Sequence, residues 1–194
     1  MRIAVLGAGS WGTTLAIVLA ENGHKTMLWD HDVARSKRII AARENARYLP
    51  GVTIPPGVTV TSDFEQALRG VAMVVFVVPS HTMRAIAKSV VSSRLLPGDG
   101  ALVTASKGLE EGTHRRMSEV LCEELGCEPA RVVSLVGPSH AEEVSRRIPT
   151  SIVAAGAGEQ TCRAVQEAFG RPYLRIYTND DIVGVEIATA LKNS

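Results

Sequence analysis

Uninterrupted apolar runs of strand length recur along the chain, separated by stretches whose apolar residues return with helical spacing. The runs predict strands over 3–6, 26–29, 73–78, 101–104, 132–136, 151–155 and 174–177. The helical pattern falls over 13–21, 33–43, 63–68, 82–91, 115–125, 141–147 and 160–169. Several runs are apolar at every position rather than at alternate ones, as strands covered by helices on both faces require. This alternation predicts an α/β fold built on an open, doubly wound, mostly parallel sheet with helices on both faces. Ser62, with Glu65 three residues on, reads as a capping box ahead of one helix. The stretch from Asn45 to Gly57 carries Pro50, Pro55, Pro56 and two glycines and is expected to be a surface loop. After the N-cap chemistry of Asn179-Asp180, residues 182–192 read as a fresh, mostly apolar helix. The expected organisation is therefore one domain over 1–180, with 181–194 opening a helical second domain that is otherwise absent. On that reading the chain is an N-terminal fragment.

Composition narrows the classes of function. The 194 residues are 45% apolar and 21% charged, with a net charge of +1, so no basic field points to nucleic acid or to a membrane surface. Aromatic residues, at 4%, offer few stacking platforms for single strands. The longest apolar run, Val71 to Val78, is eight residues, too short to cross a bilayer, and no segment reads as a signal peptide. Cys122, Cys127 and Cys162 form no C-x-x-C pair, which argues against a disulfide framework or a metal site and for a cytoplasmic setting.

The chemistry begins at Gly7-Ala8-Gly9-Ser10-Trp11-Gly12, a G-x-G-x-x-G set between an apolar strand and a helix. Gly7 permits a tight turn, Gly9 lets backbone N–H groups approach a pyrophosphate, and Gly12 allows close helix-strand packing. The helix N-terminus adds its positive dipole end. A tight turn without a ligand is the plain alternative; a Rossmann-type dinucleotide site is the reading preferred here. Asp30 lies 23 positions beyond Gly7, where an acid can accept from the adenosine ribose. His31 and Arg35 can instead face a 2′-phosphate, so NAD and NADP both stand.

Three further turns follow predicted strands at the same edge of the sheet. Pro79, in Val78-Pro79-Ser80-His81, either shapes the cleft wall or simply ends a strand. Lys107, beside Gly108, suits an anionic substrate or coenzyme group. Gly137 offers open backbone to a small ligand, while Ser139 is equally suited to capping the helix that starts near Ala141. Lys192 shares a helical face with Val185, Ala188 and Thr189. Burial there lowers a lysine pKa toward the range of an acid-base catalyst, although helix-end lysines are commonly solvated.

Taken in order, GAGSWGTTLA, NARYLPG, VPSHTMR, SKGLE, GPSHAEEV and EIATALKN resemble the bacterial-type NAD(P)-dependent glycerol-3-phosphate dehydrogenases, over essentially the whole chain. The resemblance implies hydride transfer between NAD(P)H and dihydroxyacetone phosphate, giving sn-glycerol 3-phosphate for phospholipid synthesis. It implies that Ser10, Trp11, His31, Lys107 and Ala141 contact the coenzyme and that Lys107, Gly137 and Ser139 touch the substrate. Lys192 then matches the proton acceptor in oxidation, and no metal takes part. A homodimer is expected of the full-length enzyme, and this chain is expected to bind dinucleotide but turn over slowly or not at all. His31 stands where family members often carry Arg, and Asp30 before it is expected to weaken any preference for NADP. The alternatives are a β-hydroxyacid dehydrogenase, which lacks the paired GPSHAEE and SKGLE, and a non-catalytic dinucleotide-binding module.

Overall fold

The computed structural model describes the backbone of residues 1–192 and the side chains of 1–191. The first half of the chain comprises β1 (Arg2–Leu6), α1 (Ser10–Glu21), β2 (Lys25–Trp29), α2 (Val33–Ala42), β3 (Glu44–Asn45), β4 (Leu49–Thr53), β5 (Val58–Thr61), α3 (Phe64–Leu68) and β6 (Met73–Phe76). There follow α4 (Ser80–Ser93), β7 (Ala101–Thr104), α5 (Met117–Leu125), β8 (Val132–Val136), α6 (Ala141–Ser145), β9 (Thr150–Ala155), α7 (Glu159–Phe169), β10 (Leu174–Asn179) and α8 (Ile182–Lys192). Among the described residues the main sheet has eight strands in the order β10-β9-β8-β7-β6-β1-β2-β5. Every neighbouring pair is parallel except β8 and β9, so the last two strands run against the rest.

The uniform apolarity of the central strands has a direct cause. Ile3 and Val5 of β1 join a core that includes Leu15 and Leu19 of α1, while Ala4 and Leu6 join a second core with Met83 of α4 and Leu121 of α5. Successive side chains point to opposite faces, and both faces are covered. Phe76, at the end of β6, is fully buried on the α4/α5 side, worth about 1.5–3 kcal/mol relative to an exposed side chain.

Several local expectations are corrected. The stretch from Asn45 to Gly57 is not a simple surface loop: β3 and β4 pair antiparallel within it, and Leu49 and Ile54 are buried. The edge strand β5, which pairs with β2, escaped the sequence reading because four alternating residues after two prolines carry little strand signal. Asp63, not Ser62, caps α3, its side chain accepting from the N–H of Gln66 at 2.9 Å. Ser139 does not cap α6; His140 precedes that helix, and no side chain caps it. α6 ends at Ser145 rather than 147, and Arg147 adopts a left-handed φ of 61°. At α8, Asn179 and Asp181 share the work: Asn179 accepts from the N–H of Asp181, and Asp181 accepts from the N–H of Gly184, both at 2.8 Å.

Candidate coenzyme and substrate site

The carboxyl ends of β1, β6, β7 and β8 all lie at one edge of the sheet, on either side of the point where the chain leaves β1 for β2 and later returns to β6. Open α/β sheets hold their ligands at such a switch point. The glycine turn between β1 and α1 occupies it. A Cβ on Gly7 (φ +119°) would lie 2.2 Å from the Val77 carbonyl oxygen, and one on Gly12 would lie 1.8 Å from that of Gly7. Close packing therefore dictates both. Gly9 differs: nothing lies within 4 Å of its missing Cβ, so its glycine keeps open space in front of the turn. Gly9 is also the N-cap of α1 and supplies no side-chain cap, so the first-turn N–H groups face outward for an anion.

Three buried side chains brace this turn and its neighbours, and the sequence reading missed them as functional parts. Asn45 Nδ2 donates to the Ala8 carbonyl at 2.9 Å and to Thr13 Oγ1 at 2.8 Å, pinning the glycine turn from β3. Thr14 Oγ1 donates to the carbonyls of Ser10 and Ala141, at 3.0 and 3.3 Å, and so ties α6 to α1. Ser106 Oγ accepts from the N–H of Val78 at 3.1 Å and donates to the Val78 carbonyl, fixing the turn after β6. Asn45 had a signal in the NARYLPG segment; short hydroxyl side chains such as Thr14 and Ser106 carry none until the strands are in register.

Two cavities flank the turn and share Val77 and Val78 as a wall. The larger, about 530 Å³, is lined by Gly7, Gly9, Asp30, His31, Arg35, Tyr48 and Pro79, among others. The smaller, about 320 Å³, takes Ser10, Trp11, Lys107, Ser139, His140 and Ala141. The structure thus gathers most of the sequence-predicted set around one cleft. Gly137 sits differently. Its missing Cβ would lie 2.9 Å from Ile152 Cα, so close packing on β9 demands the glycine, and Ser139 from the same turn lines the cavity instead. Pro79 both lines the larger cavity and precedes the first residue of α4.

The acid after β2 is already engaged. Asp30, 1% exposed, receives Nε and Nη2 of Arg35 on its two oxygens, and the N–H of Asp32 donates to Oδ1 at 3.0 Å. The Arg35 guanidinium also lies 5.2 Å from the centre of the Tyr48 ring. His31 is exposed at the rim, its Nδ1 3.5 Å from Asp30 Oδ1. The Asp30 carboxylate raises the Arg35 pKa further, so the guanidinium is permanently charged.

Lys192 ends α8, and its side chain lies outside the described residues, as does Asn193. Among the described residues no cluster of three or more His, Cys, Asp or Glu side chains is placed to hold a metal ion, and no helix is long and apolar enough to cross a membrane. The glycine turn at the switch point, with room left at Gly9, defines a dinucleotide-binding domain of Rossmann type.

Comparison with known proteins narrows the class. The family described as NAD-dependent glycerol-3-phosphate dehydrogenase N-terminus matches residues 2–162, and the chain belongs to it. It is similar to the glycerol-3-phosphate dehydrogenase (NAD(P)+) of Chlorobium luteolum, with 47% identity over 195 residues, 100% of this chain and 58% of that protein. The Geobacillus kaustophilus protein of the same name is 46% identical over 99% of this chain and 56% of its own. Among solved structures, the glycerol-3-phosphate dehydrogenase of Coxiella burnetii superposes with a TM-score of 0.90 at 35% identity, covering 99% of this chain and 57% of the other. The chain therefore spans a little under three fifths of the length of these relatives.

Proposed function

We propose that this chain is the coenzyme-binding part of a glycerol-3-phosphate dehydrogenase that interconverts dihydroxyacetone phosphate and sn-glycerol 3-phosphate with NAD(H) or NADP(H), in support of phospholipid synthesis. The observation that carries the reading is the open position at Gly9 before the uncapped N-terminus of α1, set between two cavities with a common wall. The Gly9, Ser10 and Trp11 amides hold the pyrophosphate there, with His31 at the adenosine end and Ala141 toward the other. When bound, the nicotinamide ring supplies or accepts the hydride.

The chain's own residues do the rest. Lys107, half-buried in the wall of the smaller cavity, attracts the phosphate-bearing substrate, and Ser139, on the turn after Gly137, hydrogen-bonds to it. Lys192 gives its proton to the ketone oxygen in reduction and takes it back in oxidation. General acid-base catalysis of this kind is worth about 10²–10⁴-fold in rate. The resemblance of EIATALKN supports that role, as does the alignment of the Chlorobium luteolum relative over the whole chain. We infer that residues 1–180 form the coenzyme domain and that 181–194 open a helical substrate unit, through which the enzyme pairs as a homodimer. The exposed apolar stripe Val183, Ile187 and Leu191 of α8 supports this. Three free cysteines support a cytoplasmic location.

Isothermal titration tests the coenzyme site directly. NADH or NADPH should bind the 194-residue chain with one site per chain, and absence of binding at millimolar coenzyme overturns the proposal. Coenzyme oxidation dependent on dihydroxyacetone phosphate, measured in the polypeptide over its whole length, tests the reaction.

A further inference from the structure

α8 is mostly apolar, yet its only buried side chain among residues 182–191 is a carboxylate. Glu186 is 6% exposed, while Val183, Ile187 and Leu191, which follow one another round the adjoining flank of the helix, are 50%, 38% and 70% exposed. Beside the half-buried Ile182 and Val185, the helix is thus held to the domain by a polar pin. One Glu186 oxygen accepts from the backbone N–H of Ser118 at 3.1 Å. The other accepts from Ser118 Oγ and from Arg116 Nη1, the latter at 3.1 Å. Ser118 is the second residue of α5, whose first-turn N–H groups have no partner within their own helix. Glu186 therefore caps α5 from α8, at the positive end of the α5 dipole. The Arg116 guanidinium is itself steadied by Glu119 at 2.8 Å.

A buried carboxylate is costly without partners and directional with them. This one has two hydroxyl or amide donors and a guanidinium, all on α5 or its cap, and each fixes a different direction of approach. Three such bonds set the rotation of α8 about its axis as well as its position along it. Lys192 follows six residues later on the same helix, about 9 Å further along the axis. Neither cavity of the coenzyme cleft is lined by Glu186.

We propose that Glu186 is a positioning residue of the dehydrogenase: by capping α5 it fixes the rotation and register of α8, and with them the placement of Lys192. This rests on the reading of Lys192 as the proton-transfer group. Burial pushes the Glu186 carboxyl up from its ordinary range, while the Ser118 and Arg116 donors work to keep it ionised. The geometry above does not depend on that balance.

The test uses Glu186→Ala, Glu186→Gln and Lys192→Ala in the polypeptide over its whole length. Misplacement of a reacting group by about 1 Å costs on the order of 10²-fold. Glu186→Ala should lower kcat for dihydroxyacetone phosphate reduction by that order and leave the NADH dissociation constant within about twofold. Glu186→Gln keeps one acceptor oxygen, for Arg116 Nη1 and Ser118 Oγ, but sets its NH2 against the Ser118 N–H, and should recover kcat only in part relative to Glu186→Ala. Hydrogen exchange should quicken in α8 of Glu186→Ala while β1 and β6 amides stay protected. In a Glu186→Ala protein that folds, a loss of NADH binding in parallel with kcat would show a merely structural role and overturn the proposal. Unchanged kcat in Glu186→Ala beside abolished turnover in Lys192→Ala overturns the proposal and leaves the Lys192 reading standing. Full turnover in Lys192→Ala sinks that reading, and the catalytic part of the inference with it. Should Glu186→Ala fail to fold, Ser118→Ala removes one donor hydroxyl and is read by the same measurements, with a smaller drop in kcat expected and an unchanged kcat counting against the proposal.

Discussion

Arg35 grips both carboxylate oxygens of Asp30 beneath the larger cavity, and the N–H of Asp32 takes a further acceptor position. The acid that ordinarily reads the adenosine ribose is thus turned inward, at 1% exposure, and held by the Arg35 guanidinium. This bears on coenzyme choice. An Asp30 saturated by Arg35 should discriminate less against a 2′-phosphate than a free carboxylate would, which argues against the expectation that Asp30 weakens use of NADP.

The corresponding prediction is that the chain binds NADH and NADPH within about tenfold of each other, a difference of no more than about 1.4 kcal/mol. Arg35→Ala frees Asp30 and should shift the ratio toward NADH by about tenfold or more. The same substitution strands a buried carboxylate, at a cost of about 3–5 kcal/mol. A fall in melting temperature should therefore accompany the shift. Titration of both coenzymes into both proteins checks the first part; a wild-type preference for NADH far above tenfold contradicts it.

Two glycine substitutions separate folding from binding. Gly12→Ala places a methyl group 1.8 Å from the Gly7 carbonyl oxygen, backbone that cannot yield, and should leave little folded protein. Gly9→Ala meets no protein atom within 4 Å and should fold with an unaltered circular dichroism spectrum. Its methyl group enters the space reserved for the pyrophosphate, so NADH affinity should fall by at least about tenfold. Undiminished binding by Gly9→Ala would place the coenzyme elsewhere.

Acid sensitivity should concentrate at the Arg84 network. Arg84 pairs with Glu110 at 2.7 Å and reaches Glu123 and Glu124, joining α4 to α5 and to the loop before it. The Arg84 hydrogen bonds, with help from Thr113, hold the Glu110 carboxyl at about 2, below its ordinary value of 4.5. Because the folded-state pKa is the lower one, Glu110 contributes stability above about 4.5, and the contribution is lost as pH falls toward about 2. In urea titrations the gap between wild type and Glu110→Gln should be widest near neutral pH and shrink from about pH 5 down to about pH 2. A gap that is constant with pH would assign the loss to packing.

The three thiols should react in a fixed order. A hydrogen bond with Cys122 and the charge of Arg131 bring the Cys127 thiol down, whereas Cys127 itself pushes Cys122 up and burial pushes Cys162 up. The thiolate is the nucleophile, so iodoacetamide near neutral pH should modify Cys127 first, with Cys162 last in the folded protein. Peptide mapping after a short exposure reads the order directly.

Sequence alone determined the architecture and the position of the coenzyme turn. Two-sided burial forces continuous apolar runs at β1, β6 and β7, and a tight strand-to-helix turn open to a phosphate forces glycine at 7, 9 and 12; such constraints act on nearby residues and so are written in the one-dimensional string. The tertiary structure alone decided which partners those residues meet. It reversed the last two strands, paired β3 with β4 and added β5 at the edge. It closed Arg35 over Asp30, and it brought Asn45 to the glycine turn and Glu186 to α5, contacts across 37 and 68 positions of chain. A buried polar group takes whatever donor the packed elements bring within about 3 Å, and local propensity carries no record of a neighbour so far away in sequence.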